Sequence, residues 1–229
     1  MRTDRDNRVR RGWYFADLPR GNCSLSIADS SGLDERVSTF CIAQDEAADD
    51  LLARDPFALL VGMLLDQQYP MEHAFRGPWK LTSRLGVERL DPAAIAAMDP
   101  ETFADLAATP PAIHRYGRSM AGRVQQLASV IATEYDGDAA KIWTTARSGQ
   151  ELYDRLHALP GWGEMKAKIF VALLGKQLGV KPKGWREAAG AYGDKGSTRS
   201  VADVTGPESL QAVRDFKKEA KAAAKAASG

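Results

Sequence analysis

From residue 43 onward, apolar residues recur at the spacing of one helix face, and short polar segments separate the runs. The pairs Asp55-Pro56, Asp91-Pro92 and Asp99-Pro100 each place a capping carboxylate before a proline suited to the first helical turn. Strand signals are confined to residues 40–43 and 199–204. We therefore predict an all-α fold, with helices over residues 44–54, 56–68, 70–85, 92–98, 100–108, 117–135, 138–146, 148–158 and 164–178.

Both ends of the chain differ from this helical region. Residues 1–36 carry several arginines and then Gly-, Asn- and Ser-rich sequence without periodicity. We predict that they are disordered or translated from a misplaced start, the alternative being a basic arm on DNA. The helical domain is predicted over 37–204. Residues 205–229 end in good helix formers with many lysines, which predicts a basic helix or tail that is either simply solvated or holds phosphate.

Two glycines mark a turn between two of the predicted helices. Gly161 and Gly163 lie in the run LPGWGEMKAKIF, over residues 159–170. Glycine has no side chain to hold a ligand away, and we expect both glycines to permit a turn conformation closed to other residues. The next helix begins there with free N–H groups and the positive end of its dipole, and Lys166 and Lys168 add charge. The run predicts an anion site or, alternatively, an ordinary glycine-terminated helix end.

A second segment carries polar groups where a core helix would have none. The apolar run over residues 60–65 ends in Asp66, Gln67 and Gln68. Packing provides no reason for an acid and two amides at this point. We expect these side chains to face something polar.

Together, the two segments resemble the helix-hairpin-helix DNA glycosylase superfamily, which carries a Leu-Leu-Ser-Gln-Gln-like segment well before a Leu-Pro-Gly-x-Gly hairpin. The resemblance covers about residues 40 to 190. It implies a two-lobed helical fold whose hairpin amides, with Lys166 and Lys168, grip a phosphate of double-stranded DNA. It also implies that Gln67 and Gln68 face the DNA and help to fill the hole left by an extruded nucleotide.

The chain departs from this family at the catalytic position. The family has an aspartate in the loop after the second hairpin helix, and here that position falls within residues 183–185, none of which is acidic. Glu187 is the nearest replacement. Asp66 is the second candidate because it lies beside the two glutamines. Two further acids follow later in the chain, Asp194 and Asp203.

Two other residues near the hairpin bear on the chemistry. Met165 stands where bifunctional members carry a Schiff-base lysine, and Lys166 lies one residue further, about 100° around the helix. We therefore do not expect lyase activity by an amine nucleophile. Trp185 is a candidate for stacking on an extruded base, the alternative being a core residue.

Composition limits the partners and cofactors. With 31 Lys and Arg against 30 Asp and Glu, DNA contact must rely on locally clustered charge. Cys23 and Cys41 are too few for the four thiolates of an iron-sulfur cluster, so we expect no such cluster, no metal site and no other cofactor. The apolar runs are too short to span a bilayer. We expect a cytoplasmic, nucleoid-associated monomer without a membrane partner.

The expected function is base excision repair by a monofunctional DNA glycosylase, which extrudes a damaged or mispaired base and hydrolyses its N-glycosidic bond with a carboxylate and water. The alternative on the same scaffold is a noncatalytic DNA-binding or lesion-sensing protein. A third possibility is a helical protein whose hairpin serves packing alone.

Overall fold

The computed structural model describes residues 40–227, and this part of the chain is helical with no β-strand. The all-α prediction is confirmed. The predicted extension over residues 1–36 and the boundary at residue 37 lie outside the described residues. The helices are α1 Glu46–Arg54, α2 Pro56–Leu65, α3 Met71–Phe75, α4 Gly77–Leu85, α5 Pro92–Ala97, α6 Pro100–Ala108, α7 Gly117–Glu134, α8 Lys141–Thr144, α9 Gly149–His157, α10 Glu164–Gln177, α11 Trp185–Ala189 and α12 Pro207–Ala227, with 3₁₀ turns at Gly190–Tyr192 and Val201–Asp203.

The three Asp-Pro pairs cap helices as predicted. The Asp55 carboxylate accepts from the first-turn amides of α2, Asp91 does the same for α5, and Asp99 caps α6. Each proline follows in the first turn, where its missing N–H costs no hydrogen bond. Local capping chemistry therefore sets three of the helix starts.

Several predicted boundaries are wrong. The helix expected over 70–85 is divided, because Pro78 lies in the first turn of α4 and has no N–H to donate to a continuous helix. The helix expected over 56–68 ends at Leu65, and Gln68 adopts a φ of 53°. Within residues 199–204, Val201–Asp203 form a 3₁₀ turn, and no strand is present. The helix expected over 138–146 shrinks to α8, and α11 was not predicted.

The core is built around α2. Every residue from Phe57 to Leu65 is buried, as expected for a helix that is apolar on all sides. It packs against α1, α3, α4 and α7, while α10 packs against α9 and α11. Within residues 40–227, no helix combines the length and apolar character needed to cross a membrane.

Candidate nucleic-acid interface

The hairpin between α9 and α10 turns at Gly161. Its φ of 76° lies in the left-handed region that favours glycine. Gly163 differs, because its φ of −96° and ψ of 176° are open to any residue. The expectation of a glycine-only conformation at Gly163 is therefore wrong. Trp162 secures the turn by packing edge-on against Phe170 of α10, with ring centroids 5.1 Å apart.

The first turn of α10 presents backbone amides without a side-chain cap. Gly163 is its N-cap residue, and no side chain accepts from the amides that follow. Amides in a first helical turn have no partner within the helix. Gly163 is exposed, and nothing lies within 4 Å of the position that a Cβ would occupy there. The amino-terminal end of α10 is therefore open to an anion.

The hairpin contacts the carboxyl end of α2, so the structure brings the two sequence motifs together. Lys166 Nζ donates a 2.9 Å hydrogen bond to the carbonyl of Leu64, 102 residues earlier in the chain. A Cβ at Gly161 would lie 2.9 Å from Leu64 Cδ1. The Asp66-Gln67-Gln68 segment therefore begins two residues from this contact.

Asp66 and Lys166 influence each other electrostatically where the hairpin contacts α2. Asp66 is half-buried, and its carboxylate accepts no hydrogen bond from the described residues. Desolvation raises the pKa of Asp66, while Lys217 and Lys166 oppose that rise. Burial lowers the pKa of Lys166 to about 8, against the favourable charge of Asp66. Both groups are therefore held with less hydration than surface residues have.

The two glutamines are held by arginines from α7 and the loop before it. Arg123 donates to Gln67 Oε1 at 2.8 Å, and Arg115 donates to Gln68 Oε1 at 3.0 Å. Both glutamines are exposed. Because these amides are neutral, the arginines keep their full positive charge at the surface.

His114 fixes the backbone beneath this pair of amides. It is 1% exposed, and its Nδ1 accepts from the Tyr116 amide at 3.0 Å. Nε2 therefore carries the proton and donates to the Gln67 carbonyl at 3.1 Å. Burial lowers the pKa of His114, and nearby cations, including Arg115, add to that effect. Sequence reasoning missed His114 because its partner is 47 positions away.

Two large side chains are exposed beside the charged groups. Tyr116 is 56% exposed, and the Arg115 guanidinium lies 4.7 Å from its ring centroid. Met165, in the first turn of α10, is 65% exposed. Aromatic and apolar side chains next to cations suit contact with nucleotide bases.

Helix α12 brings further charge to the same face. Arg214 pairs with Glu72 of α3 at 2.5 Å, and Lys217 lies within electrostatic range of Asp66. Lys166 and Lys217 therefore act on the Asp66 carboxylate from two helices, while Glu72 of α3 opposes them. The nearly neutral chain has a locally basic surface here.

Three predicted site residues lie elsewhere or are otherwise engaged. Lys168 pairs with Glu164 at 2.6 Å. Trp185 is 6% exposed and packs against Gly175, so the base-pocket role predicted for it gives way to a core role. Trp185 therefore lies beside Gly175, which is nine residues along α10 from Lys166, or about 14 Å of helix rise. Glu187 is exposed, two residues beyond Trp185.

The two later acids do not join the interface. Asp203 accepts from Lys176 Nζ at 2.6 Å and from the amides of Arg199 and Ser200, which accounts for its burial as a structural residue. Asp194 is exposed in a turn. Over residues 40–227, no group of three or more His, Cys, Asp or Glu side chains is placed to hold a metal ion.

A comparison with models of known protein families gives no match, and a comparison with curated protein sequences gives none either. The geometry of the chain therefore carries the functional argument.

Proposed function

We propose that this protein is a monofunctional DNA glycosylase of base excision repair, with the two-lobed helix-hairpin-helix glycosylase fold and with Asp66 as its catalytic carboxylate. The observation that supports this assignment is the position of Asp66. It is a desolvated carboxylate to which no residue over 40–227 donates a hydrogen bond, and Lys166, in the first turn of α10, and Lys217 act on its charge. Of the acids that sequence analysis considered, Asp66 alone lies beside the hairpin.

In this proposal, the open amides at the start of α10 hold a phosphate of duplex DNA. The helix dipole favours the negative charge, and glycine at position 163 permits close approach of the DNA backbone. Gln67 and Gln68, held by their arginines, face the hole left by the extruded nucleotide. Lys168 contributes less than predicted, since Glu164 neutralises it.

Asp66 then faces the sugar of the extruded nucleotide. Cleavage of the N-glycosidic bond passes through a transition state with oxocarbenium character, which a nearby anion stabilises. Desolvation strengthens that interaction, because fewer water dipoles screen the carboxylate. Desolvation raises the pKa of Asp66, and Lys217 and Lys166 oppose that rise in favour of the ionised form that this role requires.

A paired substitution tests the assignment of Asp66. Asp66→Asn removes the charge at nearly constant size and should reduce single-turnover base release by at least about a hundredfold. Glu187→Gln is the matched control and should retain wild-type rates. The substrates are duplexes with alkylated, oxidised, deaminated or mispaired bases, and alkali reveals the abasic sites. Full activity in Asp66→Asn with loss in Glu187→Gln would reverse the assignment. A borohydride-trapped covalent complex would contradict the monofunctional class.

The second candidate is a noncatalytic lesion-sensing protein on the same scaffold. The observation that favours it is the loop in which the family's aspartate is expected. Residues 183–185 of that loop are Lys, Gly and Trp, so the loop itself supplies no acid, although the Glu187 carboxylate lies 3.9 Å from the position of a Cβ at Gly184. Tight binding of a lesion duplex, without base release from any substrate of the panel, would favour the sensor.

A further inference from the structure

The amino-terminal half of α12 is fixed to the body of the protein. Leu210 and Val213 are buried, and the Arg199 guanidinium lies 5.0 Å from the ring centroid of Phe216. The ion pair between Arg214 and Glu72, 2.5 Å long, connects the helix to α3. These contacts set both the direction and the rotation of the helix about its axis.

The carboxyl-terminal half of α12 projects beyond the anchored half. Every residue over 217–226 is exposed, although the helix continues through this segment. At 1.5 Å per residue, the projection is about 15 Å long. It consists of alanine, lysine and one glutamate, so strong helix propensity maintains it without a core. We name residues 217–226 the basic arm.

Cations follow one side of α12 from the anchored half into the basic arm. Arg214, Lys218, Lys221 and Lys225 are separated by four, three and four residues, which keeps them on one helix face. Lys217 lies at the edge of this stripe, where it acts on Asp66. Lys218 and Lys221 are exposed and form no ion pair with any residue in the described part of the chain. The stripe therefore begins at the candidate site and leads away from it.

We infer that the basic arm binds the phosphate backbone of duplex DNA beside the target nucleotide and extends the interface beyond the hairpin. This inference depends on the proposed function for the position of the DNA. A strand presents one phosphate per 3.4 Å of axis, so an arm of about 15 Å spans about four or five base pairs. Lysines on flexible stems contact phosphates without reading bases.

The test compares Lys218→Gln/Lys221→Gln with the control Lys181→Gln/Lys183→Gln. Glutamine matches lysine in helix propensity, so the arm variant should remain folded, and the two control positions are exposed and lie outside any helix. The control removes the same amount of charge at a different place. The Lys183 carbonyl accepts from the Gly149 amide at the start of α9, whereas the hairpin follows the end of α9. Affinity for an undamaged duplex of 20 base pairs is measured by anisotropy across a salt series.

The arm variant should lose about tenfold in affinity near 0.1 M salt, and its slope of log affinity against log salt should flatten by about two. The control should change less than about twofold. An unchanged slope in the arm variant, or an equal loss in the control, would overturn the inference. A loss with duplex RNA but not duplex DNA would also overturn it.

The two proposals fail in different ways. Arm-dependent duplex binding by a wild type that releases no base from any lesion would overturn the glycosylase assignment and support the arm. Base release that depends on Asp66, together with an unchanged salt slope in the arm variant, would overturn the arm alone.

Discussion

At the scale of single residues, Gly161 and Gly163 have different structural roles despite their closeness in sequence. Gly161 has a left-handed φ, and a Cβ added there would lie only 2.9 Å from Leu64 Cδ1. Gly163 has an ordinary φ and open space. Conformation requires glycine only at the first position, and glycine at the second leaves the backbone accessible from outside.

Substitution of each glycine by alanine separates these roles. Gly161→Ala should lower the free energy of unfolding by about 1–2 kcal/mol, the cost of a left-handed conformation in an L-residue. Gly163→Ala should leave stability within about 0.5 kcal/mol of wild type yet weaken duplex binding, because its methyl group obstructs the phosphate. Urea unfolding and anisotropy measure the two effects. Unchanged duplex affinity in Gly163→Ala would remove the phosphate-binding hypothesis.

At the scale of elements, helix starts are set by aspartate caps, and their energetic value depends on where each cap lies. Asp55 is 2% exposed and accepts from Phe57 and Ala58 in its own helix. Its other oxygen accepts from the Leu90 amide at 2.8 Å, which connects α2 to the segment before α5. Asp91 makes the same local cap at an exposed position.

The two caps provide a matched pair of substitutions. Asp55→Ala leaves three donors without a partner in the interior and should lower the free energy of unfolding by about 3 kcal/mol or more. Asp91→Ala exposes its donors to water and should cost about 1 kcal/mol. Equilibrium urea unfolding at neutral pH gives both values. Equal losses would mean that the tertiary bond to Leu90 contributes nothing.

At the scale of the whole molecule, the charge of the candidate interface depends on segments far apart in the chain. Lys166 of α10 donates to the end of α2, and its pKa responds to Asp66 and to Arg123 of α7. Lys217 of α12 acts on the same carboxylate. Net charge is only +1, so clustering by the fold, and not composition, makes this surface basic.

This clustering predicts a pH dependence of duplex binding. The pKa of Lys166 is lowered to about 8, so the ammonium is charged below that pH and loses its proton as the pH rises through it. Affinity should therefore fall above pH 8, by at most about tenfold per pH unit because one proton is involved. Anisotropy titrations from pH 6.5 to 9.5 should show this step in wild type and not in Lys166→Gln. If the same loss of affinity with rising pH persists in Lys166→Gln, the titrating group is not Lys166.

Local sequence determined the helical class, the capped starts of α2, α5 and α6, and the turn at Gly161, because these features depend on residues within about four positions of one another. Only the tertiary structure decided that Lys166 acts on the charge of Asp66, that His114 supports Gln67, that Lys168 is neutralised and that Trp185 is buried. Solvation and charge at a side chain depend on groups brought from distant segments, such as Glu72 and Arg214, which are 142 positions apart. Periodicity and spacing carry no information about those partners.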